Sequence, residues 1–164
     1  MAKITKKQPN AKHCFICGMD NNKGLKAQFY ETENNELVAL FTPHEQHQSF
    51  PERVHGGISA AILDELIGRC LQIGDPSCWA VTVELNVKYH KPLPYGVQLK
   101  AVGRIDKNMR LLADGSGEIF NEAGEVAVSA KVKYMKMPVE KITTEKFEGE
   151  DWKVYDLPND PEEV

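Results

Sequence analysis

Residues 79–90, Trp79-Ala80-Val81-Thr82-Val83-Glu84-Leu85-Asn86-Val87-Lys88-Tyr89-His90, decide the fold. Trp79, Val81, Val83, Leu85, Val87 and Tyr89 alternate with smaller or polar residues, which predicts one long strand with one face buried and the other polar. The same period of two recurs at Val97, Leu99, Ala101, Gly103 and Ile105, and again at Val126, Val128, Ala130, Val132 and Tyr134. A weaker strand is expected over 110–120, where Gly115 and Gly117 point to a bulge or a close backbone approach. Asn121-Glu122-Ala123-Gly124 supplies a turn. Upstream, 25–31 and 37–42 flank Glu33-Asn34-Asn35 and read as a hairpin. Between the two groups, 58–73 has the apolar spacing of a helix of about four turns. Two strands, one helix and four strands predict an α+β layer in which an antiparallel sheet wraps a single helix.

A chain of 164 residues, 41% hydrophobic and 27% charged, carries one core. The stretch 58–73 is broken by Asp64, Glu65 and Arg69 and falls short of the ~20 apolar residues of a bilayer span, so no membrane is expected as a partner. The basic N-terminus lacks an apolar core segment, which predicts no secretory signal and a cytoplasmic protein. Net charge of −4 argues against a nucleic-acid partner. The charge is uneven: residues 138–164 hold nine acids against three lysines, a net of −6 that leaves +2 for the rest. From Pro138 the periodicity stops, so the domain is expected to span 1–137, with 138–164 as an acidic, solvated tail. Its Phe147, Trp152, Val154, Tyr155 and Leu157 offer a means of docking on the body or a partner.

The chemistry concentrates in Val54-His55-Gly56-Gly57-Ile58-Ser59-Ala60-Ala61-Ile62-Leu63-Asp64-Glu65. Two glycines at a helix start disfavour the helix, so they mark either a tight turn or exposed backbone N–H groups. The second use suits a polarised carbonyl, because a helix N-terminus presents unpaired donors and positive dipole. Asp64 lies two turns in, with Ala60, Ala61 and Gly68 at i−4, i−3 and i+4. An acid among small residues on an apolar helix reads as a carboxylate facing a cavity, the alternative being a partly exposed helix acid. Glu65 is spaced to pair with Arg69 at i+4 as a surface ion pair.

His55-Gly56-Gly57 with Asp64 resembles the active-site helix of hotdog-fold acyl-CoA thioesterases of the phenylacetate-pathway type. Val81 to Tyr89 resembles that family's third strand, and Cys14-Phe15-Ile16-Cys17-Gly18 with Gly24-Leu25 resembles the opening segment, within 1–24, of many members. The resemblance spans 14–137 and implies a hotdog fold, a long central helix wrapped by a curved antiparallel sheet. It implies Asp64 as general base or nucleophile and Gly56 as the N–H that polarises the thioester carbonyl, with Gly57 and His55 shaping the turn. Thr82 is then the hydroxyl that positions water. Where relatives carry an Asn six residues before the histidine, this chain has Ser49, preceded by Gln48.

Coenzyme A enters only as part of the substrate, and its phosphates require basic groups. Residues 88–110 hold six of them against Asp106 alone, and Lys107, Asn108 and Arg110 resemble the family's CoA-contacting loop. The resemblance also implies an obligate homodimer, open to tetramerisation, with Asp64 of one subunit facing glycine N–H groups and strand residues of the other. No metal is expected, since Cys14 and Cys17 form one CxxC without a second pair; a structural zinc needs further ligands such as His13, His44 or His47. Two other classes remain in view: a non-catalytic acyl-CoA binding module of this fold, and a hydratase, which needs an Asp–His pair the sequence lacks.

Overall fold

The computed structural model describes residues 1–164. Nine strands are formed: β1 (Ile4–Lys7), β2 (Asn10–Ala11), β3 (Gln28–Thr32), β4 (Leu37–Phe41), β5 (Ala80–Tyr89), β6 (Leu99–Asn108), β7 (Leu112–Phe120), β8 (Val126–Lys136) and β9 (Trp152–Lys153). The central helix is α1 (Gly56–Arg69) and a single turn, α2 (Val139–Ile142), follows β8. Seven strands build one antiparallel sheet in the order β1-β3-β4-β6-β7-β8-β5, and β4 to β8 wrap α1. This is the hotdog fold. The hairpin at Glu33-Asn34-Asn35 forms as expected, with Asn35 in the left-handed region at φ 61°. β3 starts at Gln28 rather than Leu25; Leu25 and Ala27 instead bond through their backbones to Phe15 and Ile16.

The helix sits on a floor of glycines. A Cβ at Gly103 would lie 2.9 Å from Leu66 Cγ, and one at Gly115 only 2.4 Å from Ile67 Cγ2. One at Gly117 would meet Ile67 Cγ1 at 3.0 Å. Gly115 and Gly117 therefore serve close approach; the bulge nearby lies in β6, at Asp106.

The expectation of one buried face for residues 79–90 is corrected. β5 is an edge strand, and in the single chain Val83, Leu85 and Tyr89 are 53%, 36% and 56% exposed. Its alternation is also interrupted. Thr82 pairs with Tyr134 and Glu84 with Lys133, so Val83 is an extra, unpaired residue. Directly paired residues share a face. Thr82 therefore points with buried Tyr134 toward α1, away from the polar face that strict alternation gave it.

Residues 138–164 take the docked arrangement that their aromatics offered rather than that of a solvated tail. β9 pairs with β2, Ala2 and Val164 exchange backbone hydrogen bonds, and Asp160 accepts from Lys7 Nζ at 2.7 Å and Tyr30 Oη at 2.6 Å. Phe147 and Trp152 pack with Trp79, ring centroids 4.8–5.6 Å apart. The segment is a strap across the open end of the sheet.

Replacing Gly115 by Ala is expected to destabilise the fold by about 1–3 kcal/mol through overpacking against Ile67. Urea denaturation checks it, with a lower midpoint at unchanged slope as the outcome.

Candidate active site

The start of α1 is shaped by His55 and Gly57. His55 caps the helix, its Nδ1 accepting from Gly57 N–H at 2.9 Å, so that ring nitrogen carries no proton. Gly57's donor is thereby used. Gly56 N–H, one residue earlier, has no partner in the chain. Tyr89 Oη donates to Gly56 O at 2.7 Å, and a Cβ at Gly56 would crowd the Tyr89 ring at 3.2 Å. The free donor thus stays at the positive end of a helix of 14 residues, beside an aromatic ring.

Two turns along, Asp64 is half-buried and its Oδ1 accepts from Thr82 Oγ1 at 2.7 Å. Burial pushes the carboxyl above the usual range for Asp; the Thr82 hydrogen bond pulls it down and the charge of Glu65 pushes it up again. Tyr134 Oη donates to the Asp64 backbone oxygen at 2.7 Å, and Gly68 leaves the space that its ring occupies. Asp64 and Thr82 open onto a cavity of about 650 Å³ whose walls include Trp79, Cys14 and the strap.

The structure places the other expected residues apart from this pair. Lys107, Asn108 and Arg110 are exposed at the β6–β7 hairpin, with Asn108 Oδ1 held by Lys136 Nζ. Asn108, Ala113, Tyr134 and Thr82 form one row across four adjacent strands. The hairpin therefore stands about 14 Å from Thr82 at the same end of the sheet. Gln48 and Ser49 are exposed in the loop before α1, where Gln48 bridges to Val54 and Ser49 N–H bonds Arg53 O. Thr82 reaches Asp64 from the same chain, so this strand residue is not supplied by a partner.

The Glu65–Arg69 pair forms at 2.8 Å, but Arg69 is 5% exposed, so it is not a surface pair. Arg69 also donates to Pro9 O at 2.8 Å and Cys17 Sγ at 3.0 Å, and its guanidinium lies over Phe29 at 4.3 Å and Trp152 at 4.6 Å. Cys14, Cys17 and Glu65 come within 4.8 Å of one another. The cation among them is the guanidinium, which burial opposes and Glu65 and Cys17 hold charged. Hydrogen bonding from Cys17, with backbone donors from Ile16 and Cys17, brings Cys14 down to about 7. Sequence reasoning missed the hydrogen-bonding roles of Tyr134 and Tyr89, which end alternating strands and read locally as ordinary core positions; Phe147 and Trp152 dock on Trp79, a use their aromatic character offered.

Residues 52–128, which span the glycine turn, Asp64 and β5, match the family described as "Thioesterase superfamily". The matched segment is 77 of the chain's 164 residues, and over it the chain is similar to that family. It is 25% identical over 87 residues to acyl-coenzyme A thioesterase 13 of Mus musculus, covering 53% of this chain and 62% of that protein. With acyl-coenzyme A thioesterase THEM4 of Mus musculus it shares 38% identity over 68 residues, 42% of this chain and 28% of that protein. The matches thus span less than two thirds of either relative. A solved thioesterase superfamily protein superposes with a TM-score of 0.70 at 24% identity, covering 76% of this chain and 60% of that one. No helix of the chain is long and apolar enough to cross a membrane.

The raised Asp64 carboxyl has a stability signature. Below the unfolded-state value both states are protonated and nothing is lost; above the folded-state value the ionised, desolvated group costs stability in full. Asp64→Asn is therefore expected to raise Tm at pH 7, with the gain vanishing as pH falls below about 4. Thermal melts of both proteins across that range check it.

Proposed function

We propose that the chain hydrolyses acyl-CoA thioesters to free acid and CoA. The observation that carries this reading is the Asp64–Thr82 hydrogen bond on a cavity wall, in a helix whose first glycine keeps a free N–H. Asp64 acts as general base on water or as nucleophile on the carbonyl, and its raised pKa makes it a stronger base at neutral pH. Thr82 spends its proton on Asp64 and keeps oxygen lone pairs to accept from the attacking water. Gly56 N–H stabilises the oxyanion, while Gly57 and His55 fix the turn. Lys107, Asn108 and Arg110 meet the CoA phosphates, one pantetheine arm away from the thioester. The names of the curated relatives, both acyl-coenzyme A thioesterases, support the substrate class.

One chain does not complete this site. Gly56 N and Asp64 are eight residues apart on one helix, about 12 Å along its axis, too far for a single carbonyl. A two-fold partner joined along the open edge of β5 brings its Gly56 to this Asp64. The exposed Val83, Leu85 and Tyr89, with Phe50 at 76% exposure in the loop before α1, supply an apolar contact for such a homodimer.

Thiol release from a panel of acyl-CoAs is expected for the wild type and to fall ~10²-fold or more in Asp64→Asn. Gly56→Pro removes the donor at a first helical position, after a residue already extended at ψ 134°, and is expected to cost ~10²–10³-fold in kcat, with Gly56→Ala, which adds the same contact to Tyr89 but keeps the N–H, as its control. Mixing the two inactive variants after co-refolding is expected to restore about a quarter of wild-type activity, because each heterodimer regains one of two sites. No recovery on mixing places both groups in one chain's site. Tight acyl-CoA binding without thiol release identifies a binding module instead.

A further inference from the structure

We propose that the strap, residues 138–164, forms the far wall of the acyl pocket and sets the upper limit of acyl length. The inference rests on the thioesterase reading above. The cavity lined by Asp64, Thr82 and Trp79 is lined also by Ile142, Phe147 and Trp152. These three are strap residues and lie outside the segment matched to the family.

The wall is held firmly enough to exclude a chain by size. Phe147 and Trp152 stack at 4.8 Å, and each meets Trp79, at 5.4 and 5.6 Å. Trp152 is fixed twice more, by β9–β2 pairing and by the Arg69 guanidinium over its ring. Further out, Asp160 ties the strap to Lys7 and Tyr30.

Charge decides which end of the substrate faces the strap. The strap carries a net −6. CoA brings phosphates, so its nucleotide end is repelled there and favoured at Lys107 and Arg110. The acyl group is thereby directed into the aromatic-walled end. An aryl or straight acyl group fits the cavity of about 650 Å³, half of whose lining residues are hydrophobic, and a chain extended toward the strap meets the rings.

Two measurements test this. In the first, kcat/KM for hexanoyl-CoA and palmitoyl-CoA is compared in wild type, Phe147→Ala and Ile142→Trp. Phe147→Ala is expected to raise the palmitoyl-to-hexanoyl ratio about tenfold or more, and Ile142→Trp, at a 41% exposed position that leaves the fold intact, to lower hexanoyl-CoA turnover through KM. Unchanged ratios in both variants overturn the strap's role while leaving the thioesterase reading standing. The second measurement needs no turnover. Trp79 and Trp152 are the chain's two tryptophans and both line the cavity. In Asp64→Asn, hexanoyl-CoA is expected to change their fluorescence saturably while CoA alone does not. A wild type that releases no thiol but shows this response loses the hydrolase reading and keeps the wall; no response, or the same response to CoA alone, removes the wall.

Discussion

The depth at which α1 lies in the sheet governs the rest of the structure. Leu66 and Ile67 rest on Gly103, Gly115 and Gly117, where any β-carbon would collide with them or with neighbouring strand carbonyls. That lets the helix sink until Asp64 is within hydrogen-bond distance of Thr82 on β5 and its backbone oxygen reaches Tyr134 on β8. A helix raised by one methyl group would carry the carboxylate out of reach of Thr82 and the backbone oxygen out of reach of Tyr134, since such bonds weaken steeply beyond their narrow distance range. Three glycines with no polar function thus determine the geometry of the polar groups.

The bulge at Val83 performs a second positioning task. Continuous pairing would turn Thr82 outward with Glu84 and Asn86, leaving Asp64 desolvated and without a hydroxyl partner. One unpaired residue separates the two halves of β5, so Thr82 faces the helix while Leu85 and Val87, paired with Val132 and Ala130, face it as well. The strand keeps a regular outer edge and an inward polar group at its start, a combination strict alternation does not permit.

Much of this was legible in the sequence because it is local. The alternation of β5, β6 and β8, the length of α1, and the glycine pair followed by an acid nine residues after His55 are short-range patterns. The Gly115 and Gly117 pair declared a close approach but not its partner. What escaped depends on distant pairing. Lys7 and Asp160 are 153 positions apart, and nothing in the acidic composition of 138–164 signals that Trp152 inserts over Arg69. The same contact converts an i, i+4 pair from a surface bridge into a buried one. The bulge escaped for a related reason: Val83 continues the alternation in every respect except the register of its neighbour.

Burying Arg69 is costly unless its donors and charge are answered, and they are answered from four segments: Glu65 on its own helix, Pro9 and Cys17 near the N-terminus, and the rings of Phe29 and Trp152. Removing any one leaves the others facing a less satisfied cation, which couples the CxxC turn to the strap through a single guanidinium. Asp64, one residue before Glu65, stands on the other side of that arrangement with only Thr82 and Tyr134 for company. The same helix therefore carries a fully compensated buried charge and, adjacent to it, an under-compensated one. In physical terms the first anchors the strap that lines the cavity, and the second is a desolvated carboxyl that opens onto it.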